Sequence, residues 1–361
     1  MTAAIVFLII GLVLLVFSAD WLVKGAASIA SALGISPLVV GLTVVAFGTS
    51  APELAVSVMS AFKGQADLAL GNVVGSNIFN VLFILGISAL IIPLVVHAQL
   101  VRFDVPVMIA VSVLLYFLSM DGLVSRLDGV VLFVLLLGYI FILIRGSRRE
   151  KDAGVLSEYE EEYGKAAENP KWLKNIAFVV FGIVGLVIGS DRLVFGAVFI
   201  AKHFGVSELI IGLTIVSVGT SLPEVATSVL AALKGERDIA VGNVVGSNIF
   251  NILTVLGISS IVSPAGIAVA KQALESDMLV MIAVAVAAFP VFFYGYRIGR
   301  ISGFFFLAFY GAYLAYLILG ATGHGAFTGY QQVMLYYVAP AVALTLVVLT
   351  ILAIRQPKNH A

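Results

Sequence analysis

Apolar residues run along this chain in long blocks, interrupted by short polar stretches. Blocks near the roughly 20 residues that a helix needs to cross a bilayer core fall at 4–27, 36–62, 68–92, 103–119, 127–145, 173–199, 207–233, 239–263, 277–295, 301–320 and 332–354. The pattern predicts an all-α integral membrane protein with eleven spanning helices. One long polar segment, 146–171 with SRREKDAGVLSEYEEEYG, divides the chain near its middle and is too short to fold alone. The first block is apolar from residue 3 to 17 with no basic residue before it, so it reads as a retained span and not as a cleaved signal.

The polar interruptions inside the blocks repeat. GLTVVAFGTSAPELAVSV at 41–58 matches GLTIVSVGTSLPEVATSV at 212–229, GNVVGSNIFN at 71–80 recurs unchanged at 242–251, and LGIS at 85–88 recurs at 256–259. A single offset of 171 residues aligns all three without a gap, and about two thirds of positions 41–88 are identical. The register extends back to Asp20 over Asp191 and forward to Pro93 over Pro264. Equivalent blocks are five apart, an odd number, so the two copies cross the membrane in opposite directions. Duplication by itself carries no function. Inverted copies, however, are the plan of secondary transporters, whose substrates bind near the midplane where the copies meet.

Each copy carries a carboxylate deep in an apolar block, Glu53 and Glu224. An intramembrane carboxylate costs at least a few kcal/mol and marks a functional site by default. Pro52 and Pro223 precede them, with Gly48 and Gly219 four residues before each proline. Proline removes a helical donor and crowds the preceding turn, so the helix is expected to break there and release carbonyl oxygens toward a cavity. Thr49, Ser50 and Glu53 share one helical face, as do Thr220, Ser221 and Glu224. In the next block Asn72, Ser76 and Asn80 form a polar stripe at spacings of four, repeated by Asn243, Ser247 and Asn251. Gly71 with Gly75, and Gly242 with Gly246, are small-xxx-small pairs that let backbones approach, a feature common in any membrane helix. Singly, each feature has a structural explanation; in duplicate around two glutamates they do not.

Composition narrows the chemistry. Hydrophobic residues make up 61% of the chain and charged ones 11%, with a mean hydropathy of +1.14, which excludes a soluble globule. Lys plus Arg equals Asp plus Glu at 20 each, so net charge points to no nucleic acid or acidic partner, and no obligatory protein partner is evident. The absence of Cys removes disulfides, thiolate metal sites and cysteine nucleophiles, and His97, His203, His324 and His360 have no zinc spacing. No nucleophile–base pair or phosphate loop stands out, so the chain is read as a transporter without a cofactor and not as an enzyme. Any metal site here is built of oxygen. Two carboxylates among hydroxyl, amide and carbonyl oxygens suit calcium, which takes six to eight oxygen ligands, and sodium in other occupancies. The same carboxylates bind protons, which leaves proton coupling open.

The words GTSAPE, GTSLPE and GNVVGSNIFN resemble the two alpha-repeats of the calcium/cation antiporter superfamily, specifically its sodium/calcium exchanger branch and bacterial members, over about residues 4–320. The resemblance implies two inverted five-helix repeats, ten core spans, with calcium and sodium competing for one central site under alternating access. It assigns ion ligands to Thr49, Ser50, Glu53, Ser76 and Asn80 and to Thr220, Ser221, Glu224, Ser247 and Asn251, with backbone carbonyls near Ala46 and Ser217. Some relatives have Asp in one copy where this chain has Asn80 and Asn251, and the eleventh block exceeds the ten-span pattern. A calcium/proton antiporter and a potassium-dependent sodium/calcium exchanger use the same carboxylates and stand as alternatives.

The implied plan is a first exchanger repeat at 1–146, a cytoplasmic linker at 147–171, a second, inverted repeat at 172–320 and an additional helix at 331–355. Lys and Arg set the orientation. With the N-terminus outside a plasma (inner) membrane, the inner side receives Lys24, Arg102, the linker cluster, Lys234, Arg237, Arg297, Arg300 and Arg355, and the outer side only Lys63, Arg126, Lys202 and Lys271. The linker and C-terminus are then cytoplasmic. Asp20, four residues before Lys24, reads as an ion pair before it reads as a ligand, and the acidic run 158–162 as a solvated loop.

Overall fold

The computed structural model describes residues 2–33, 36–147, 172–204 and 217–355. The linker from 148 to 171 with its acidic run, and residues 205–216, which include the first ten of the expected 207–233 span, lie outside the described residues. The chain folds into helices α1 (Thr2–Ile29), α2 (Leu38–Thr49), α3 (Ala51–Phe62), α4 (Ala66–Ile91), α5 (Leu100–Leu118), α6 (Arg126–Gly146), α7 (Trp172–Ile200), α8 (Leu222–Leu233), α9 (Arg237–Val262), α10 (Ala273–Phe293), α11 (Arg300–Ala321) and α12 (Phe327–Ala353). Among the described residues nine of these are long and apolar enough to cross a membrane, and α2 with α3 makes a tenth crossing, bent by 47°. This is a multi-pass membrane fold.

The centre of the molecule is the pair α4 and α9, with 72% and 89% of their apolar stretches buried, against 28% for α1 and α7 and none for α12. Those two helices carry the identical GNVVGSNIFN words, so the duplicated sequence is also the core. The outer helices present side chains such as Phe17, Phe181 and Leu335 outward, as a lipid-facing surface requires.

The inversion is visible where α1 meets α7. The two pack antiparallel along a seam of small residues: a Cβ on Gly11 would lie 2.6 Å from the Leu193 nitrogen and 2.7 Å from the Gly189 carbonyl, and one on Gly182 2.8 Å from the Leu22 nitrogen. Only glycine permits this approach, which in lipid replaces the missing hydrophobic drive with backbone-to-backbone packing. Two antiparallel two-residue ribbons also join the repeats, Leu94–Val95 with Arg297–Ile298 and Leu123–Val124 with Ile267–Ala268. Inside each repeat a tyrosine ties neighbouring spans: Tyr139 donates to the buried Asp104 at 3.0 Å, and Tyr313 to Asp277 at 3.3 Å.

The hairpins α3–α4 and α8–α9 close at the same dipeptide, Lys63–Gly64 and Lys234–Gly235. Gly64 at φ +75° and Gly235 at φ +86° adopt the left-handed conformation open to glycine, and the following N–H groups of Gln65 and Glu236 cap Ser60 and Ala231 at 2.8 and 2.9 Å. Each hairpin thereby returns α4 or α9 beside its glutamate helix.

The expected break at the prolines falls slightly earlier. Ser50 (φ −79°, ψ 10°) and Ser221 (φ −89°, ψ 8°) are the residues that leave helical geometry, while Pro52 and Pro223 sit in the first turn of α3 and α8. Proline needs no donor there, so it starts the second helical segment and does not interrupt it. The glycine pairs of the two copies also differ in what can be described. Gly246 lies against the Leu42 backbone, a Cβ there meeting its carbonyl at 2.7 Å, whereas the equivalent neighbours of Gly71 and Gly75, Leu209 and Leu213, fall outside the described residues.

Candidate cation site

The two breaks place Thr49–Ser50 and Thr220–Ser221 at the ends of short helical segments, facing the opposite repeat. Ser50 Oγ donates to Glu224 Oε1 at 3.1 Å, and Ser221 Oγ donates to Glu53 Oε1 at 2.9 Å. Thr49 Oγ1 donates to Asn243 Oδ1 at 3.1 Å, and Thr220 Oγ1 to Asn72 Oδ1 at 3.2 Å. Every one of these bonds crosses between repeats. The asparagines are held in turn by their own hairpins, Asn72 Nδ2 on Ser57 Oγ and Asn243 Nδ2 on Ser228 Oγ, both at 2.9 Å.

Both carboxylates are fully buried, and among the described residues no Lys or Arg pairs with either. An uncompensated buried charge is costly by several kcal/mol, so this pair calls for cations or protons. Each glutamate keeps one buried oxygen, Oε2, with no hydrogen-bond partner among the described residues, and so do Asn80 Oδ1, Asn251 Oδ1 and Ser247 Oγ. Among the described residues these five buried oxygens stand without a partner on helices that carry the duplicated words, as do the hydroxyls of Ser88, Thr227, Thr254 and Ser259; carboxylate, amide and hydroxyl oxygens are the ligand types that hard cations take. Among the described residues no three acidic or histidine side chains come together, and the acidic side chains at this place are Glu53 and Glu224.

The remaining residues singled out in the sequence take distinct places. Ser76 Oγ lies 3.1 Å from Ser221 Oγ and so joins the Glu53 side of the cluster. The Ala46 carbonyl, expected to be released by the break, accepts the Ser50 N–H at 3.0 Å and lies 3.3 Å from Thr49 Oγ1. Ser217 opens the short turn Ser217–Gly219, where Ser221 N–H turns to the Val218 carbonyl at 3.1 Å; the Ser217 side chain is outside the described residues. Asp20 pairs with Lys24 at 2.9 Å, as its spacing predicts, and also with Lys234 at the end of α8. Asp191 meets only its neighbour Arg192, at 3.7 Å, among the ion pairs of the described residues.

Sequence reasoning passed over Asn77 and Asn248. Both are buried, and each donates to the other's backbone carbonyl at 3.2 Å across the α4–α9 contact. The signal was present: the ten-residue word is identical in both copies at all positions, not only at those on the polar stripe.

Comparisons with known proteins agree with this plan. The family described as sodium/calcium exchanger protein matches residues 3–145 and 174–319. The sodium/calcium exchanger MaX1 of Methanosarcina acetivorans is 34% identical over 348 residues, covering 88% of this chain and 99% of that protein. Inner membrane protein YrbG of Escherichia coli K12 is 40% identical over 266 residues, covering 73% and 81%. A solved structure of the sodium-calcium exchanger NCX_Mj soaked with sodium and strontium superposes with a TM-score of 0.74 at 30% identity, over 87% of this chain and 98% of that one. With two inverted repeats, a core made of their shared words and matches along nearly its whole length, the chain belongs to the sodium/calcium exchanger protein family, within the calcium/cation antiporters.

Proposed function

We propose that Glu53 and Glu224 form one central site at which calcium exchanges for sodium, with Thr49, Ser50, Ser76, Asn80, Thr220, Ser221, Ser247 and Asn251 completing the coordination and carbonyls near Ala46 and Ser217 joining in other states. The observation that carries this reading is the crossed pair of serine–glutamate bonds, which leaves one oxygen on each buried carboxylate without a partner among the described residues. One calcium neutralises both charges; sodium must do so with at least two ions. The two cargoes therefore exclude each other, and exclusion makes exchange obligatory. With more than two sodium ions per calcium, each cycle moves net charge and feels voltage at about 2.3 kcal/mol per charge per 100 mV.

Alternating access is assigned to α1 and α7. They carry none of the proposed ligands, lie at the periphery, and meet along a smooth glycine seam that favours movement as one unit. The protein sits in the plasma (inner) membrane with the N-terminus outside and the 147–171 linker cytoplasmic, following its Lys and Arg distribution. Its likeness to the sodium/calcium exchanger MaX1 supports sodium as the counter-ion.

Uptake of calcium-45 into proteoliposomes tests the coupling ion. An outward sodium gradient, without potassium and at equal pH on both sides, is expected to drive uptake. Uptake that ignores sodium and follows a pH gradient would reassign the protein as a calcium/proton antiporter, and a requirement for potassium would make it the potassium-dependent type.

A further inference from the structure

Asn77 and Asn248 contribute no oxygen to the proposed site, yet their amides decide which way Asn80 and Asn251 point. Asn248 Nδ2 donates to the Asn77 carbonyl at 3.2 Å and faces the Met108 sulfur at 3.6 Å. Neither acceptor can donate in return, so the Asn248 amide has one workable orientation. Its Oδ1 must then face Asn80, and Asn80 must answer with Nδ2, as it does at 3.0 Å. The mirror-related chain is the same: Asn77 Nδ2 on the Asn248 carbonyl at 3.2 Å and the Met281 sulfur at 3.7 Å, and Asn251 Nδ2 on Asn77 Oδ1 at 3.1 Å. The outcome at the end of each chain is an amide oxygen, Asn80 Oδ1 or Asn251 Oδ1, that is buried and without a partner among the described residues.

We infer that Asn77 and Asn248 are positioning residues that hold the amide oxygens of Asn251 and Asn80 on the transported cation, each acting across the repeat boundary. This deepens the cation-site reading and rests on it. Without the Asn248 oxygen, the Asn80 amide is free to turn its NH2 group toward the cation, where a donor replaces a ligand. α4 and α9 pass into π-helical turns that begin at the steered residues, Asn80–Ile84 and Asn251–Leu256, and the Asn77 and Asn248 carbonyls that receive the cross-repeat amides also accept the Asn80 and Asn251 N–H groups.

The crossing makes a test that a merely structural role does not pass. Asn248→Ala is expected to raise the KM for calcium about fivefold, the weight of one ordinary hydrogen bond, with the maximal rate at saturating calcium nearly retained. In an Asn80→Ala background the same change should add less than about twofold, because its target is gone; in an Asn251→Ala background it should add the full factor. Asn77→Ala should behave oppositely, coupling to Asn251 and not to Asn80. Asn248→Ser and Asn77→Ser, too short to reach, replace the alanine variants if these fail to fold. Equal factors in both backgrounds, or a fall in maximal rate at unchanged KM, overturn the positioning role. Calcium uptake that survives Glu53→Gln overturns the cation-site reading beneath it, so the two failures are distinguishable.

Discussion

The Ser221 hydroxyl of the second repeat donates to the Glu53 carboxylate of the first at 2.9 Å, and Ser50 reciprocates on Glu224 at 3.1 Å. Neither glutamate is set by its own repeat alone. The polar cluster therefore exists only while the repeats are docked, which couples its geometry to their relative movement.

Removing either hydroxyl leaves a buried carboxylate short of a charge-assisted bond worth about 1.5–3 kcal/mol. Ser50→Ala and Ser221→Ala are each expected to weaken calcium binding by about tenfold or more. Competition of unlabelled calcium against calcium-45 binding measures this; an unchanged affinity would mean that the hydroxyls do not orient the carboxylates.

The glycine seam between α1 and α7 leaves no room for a side chain. A Cβ on Gly11 would stand 2.6 Å from the Leu193 nitrogen, and backbone cannot step aside as a flexible side chain could. Gly11→Leu is expected to lower turnover severely and to destabilise the fold by about 1–3 kcal/mol, as overpacking does, while calcium binding at equilibrium changes little. Transport rate, unfolding temperature and equilibrium binding, measured together, separate these effects.

Asp20 on α1 is latched to Lys234 as well as to Lys24, whereas Asp191 on α7 meets only Arg192 among the ion pairs of the described residues. The two ends of the inverted structure are thus held unequally. Lys234→Ala is expected to change the calcium KM on one side of the membrane by about two- to fivefold, in keeping with a partly exposed ion pair, and to leave the other side unaltered. Lys63→Ala, at the equivalent position of the first repeat, should alter neither. Transport measured from both faces in oriented vesicles decides between them.

Helix α12 buries none of its apolar stretch, and its first turns meet α11 through Tyr330 Oη, which donates to the Ala312 carbonyl at 2.7 Å, and through the Phe327 ring, 5.4 Å from that of Tyr316. Truncation before residue 326 is expected to leave the calcium KM within about twofold of the full chain, since little buried backbone or packing is lost. A larger change would give α12 a part in the transport cycle.

Much of this was legible in the sequence, and the limits have physical causes. The 171-residue offset exposed the repeat, its inversion and the twin glutamates, because buried polar residues in an apolar chain stand out one by one. Helical spacing also placed Thr49, Ser50 and Glu53 on one face. Spacing cannot say which helix that face meets. The crossing of Ser221 to Glu53, and of Asn77 to Asn251, depends on how two repeats dock, and nothing local in either repeat encodes the partner. The break was read at Pro52 because proline is the conspicuous residue, yet Ser50 carries the irregular backbone and Pro52 simply sits in the first turn of α3. The α1–α7 seam went unread for a similar reason: glycines scattered over two distant blocks align only once the helices are antiparallel.

The most direct test of the site is calcium-45 uptake into sodium-loaded proteoliposomes by wild type, Glu53→Gln and Glu224→Gln. Gln keeps the size of each side chain and removes its charge, so loss of sodium-driven uptake in both variants, with folding intact, is the expected result. Uptake that survives either substitution would contradict a single cation site made by the two glutamates together.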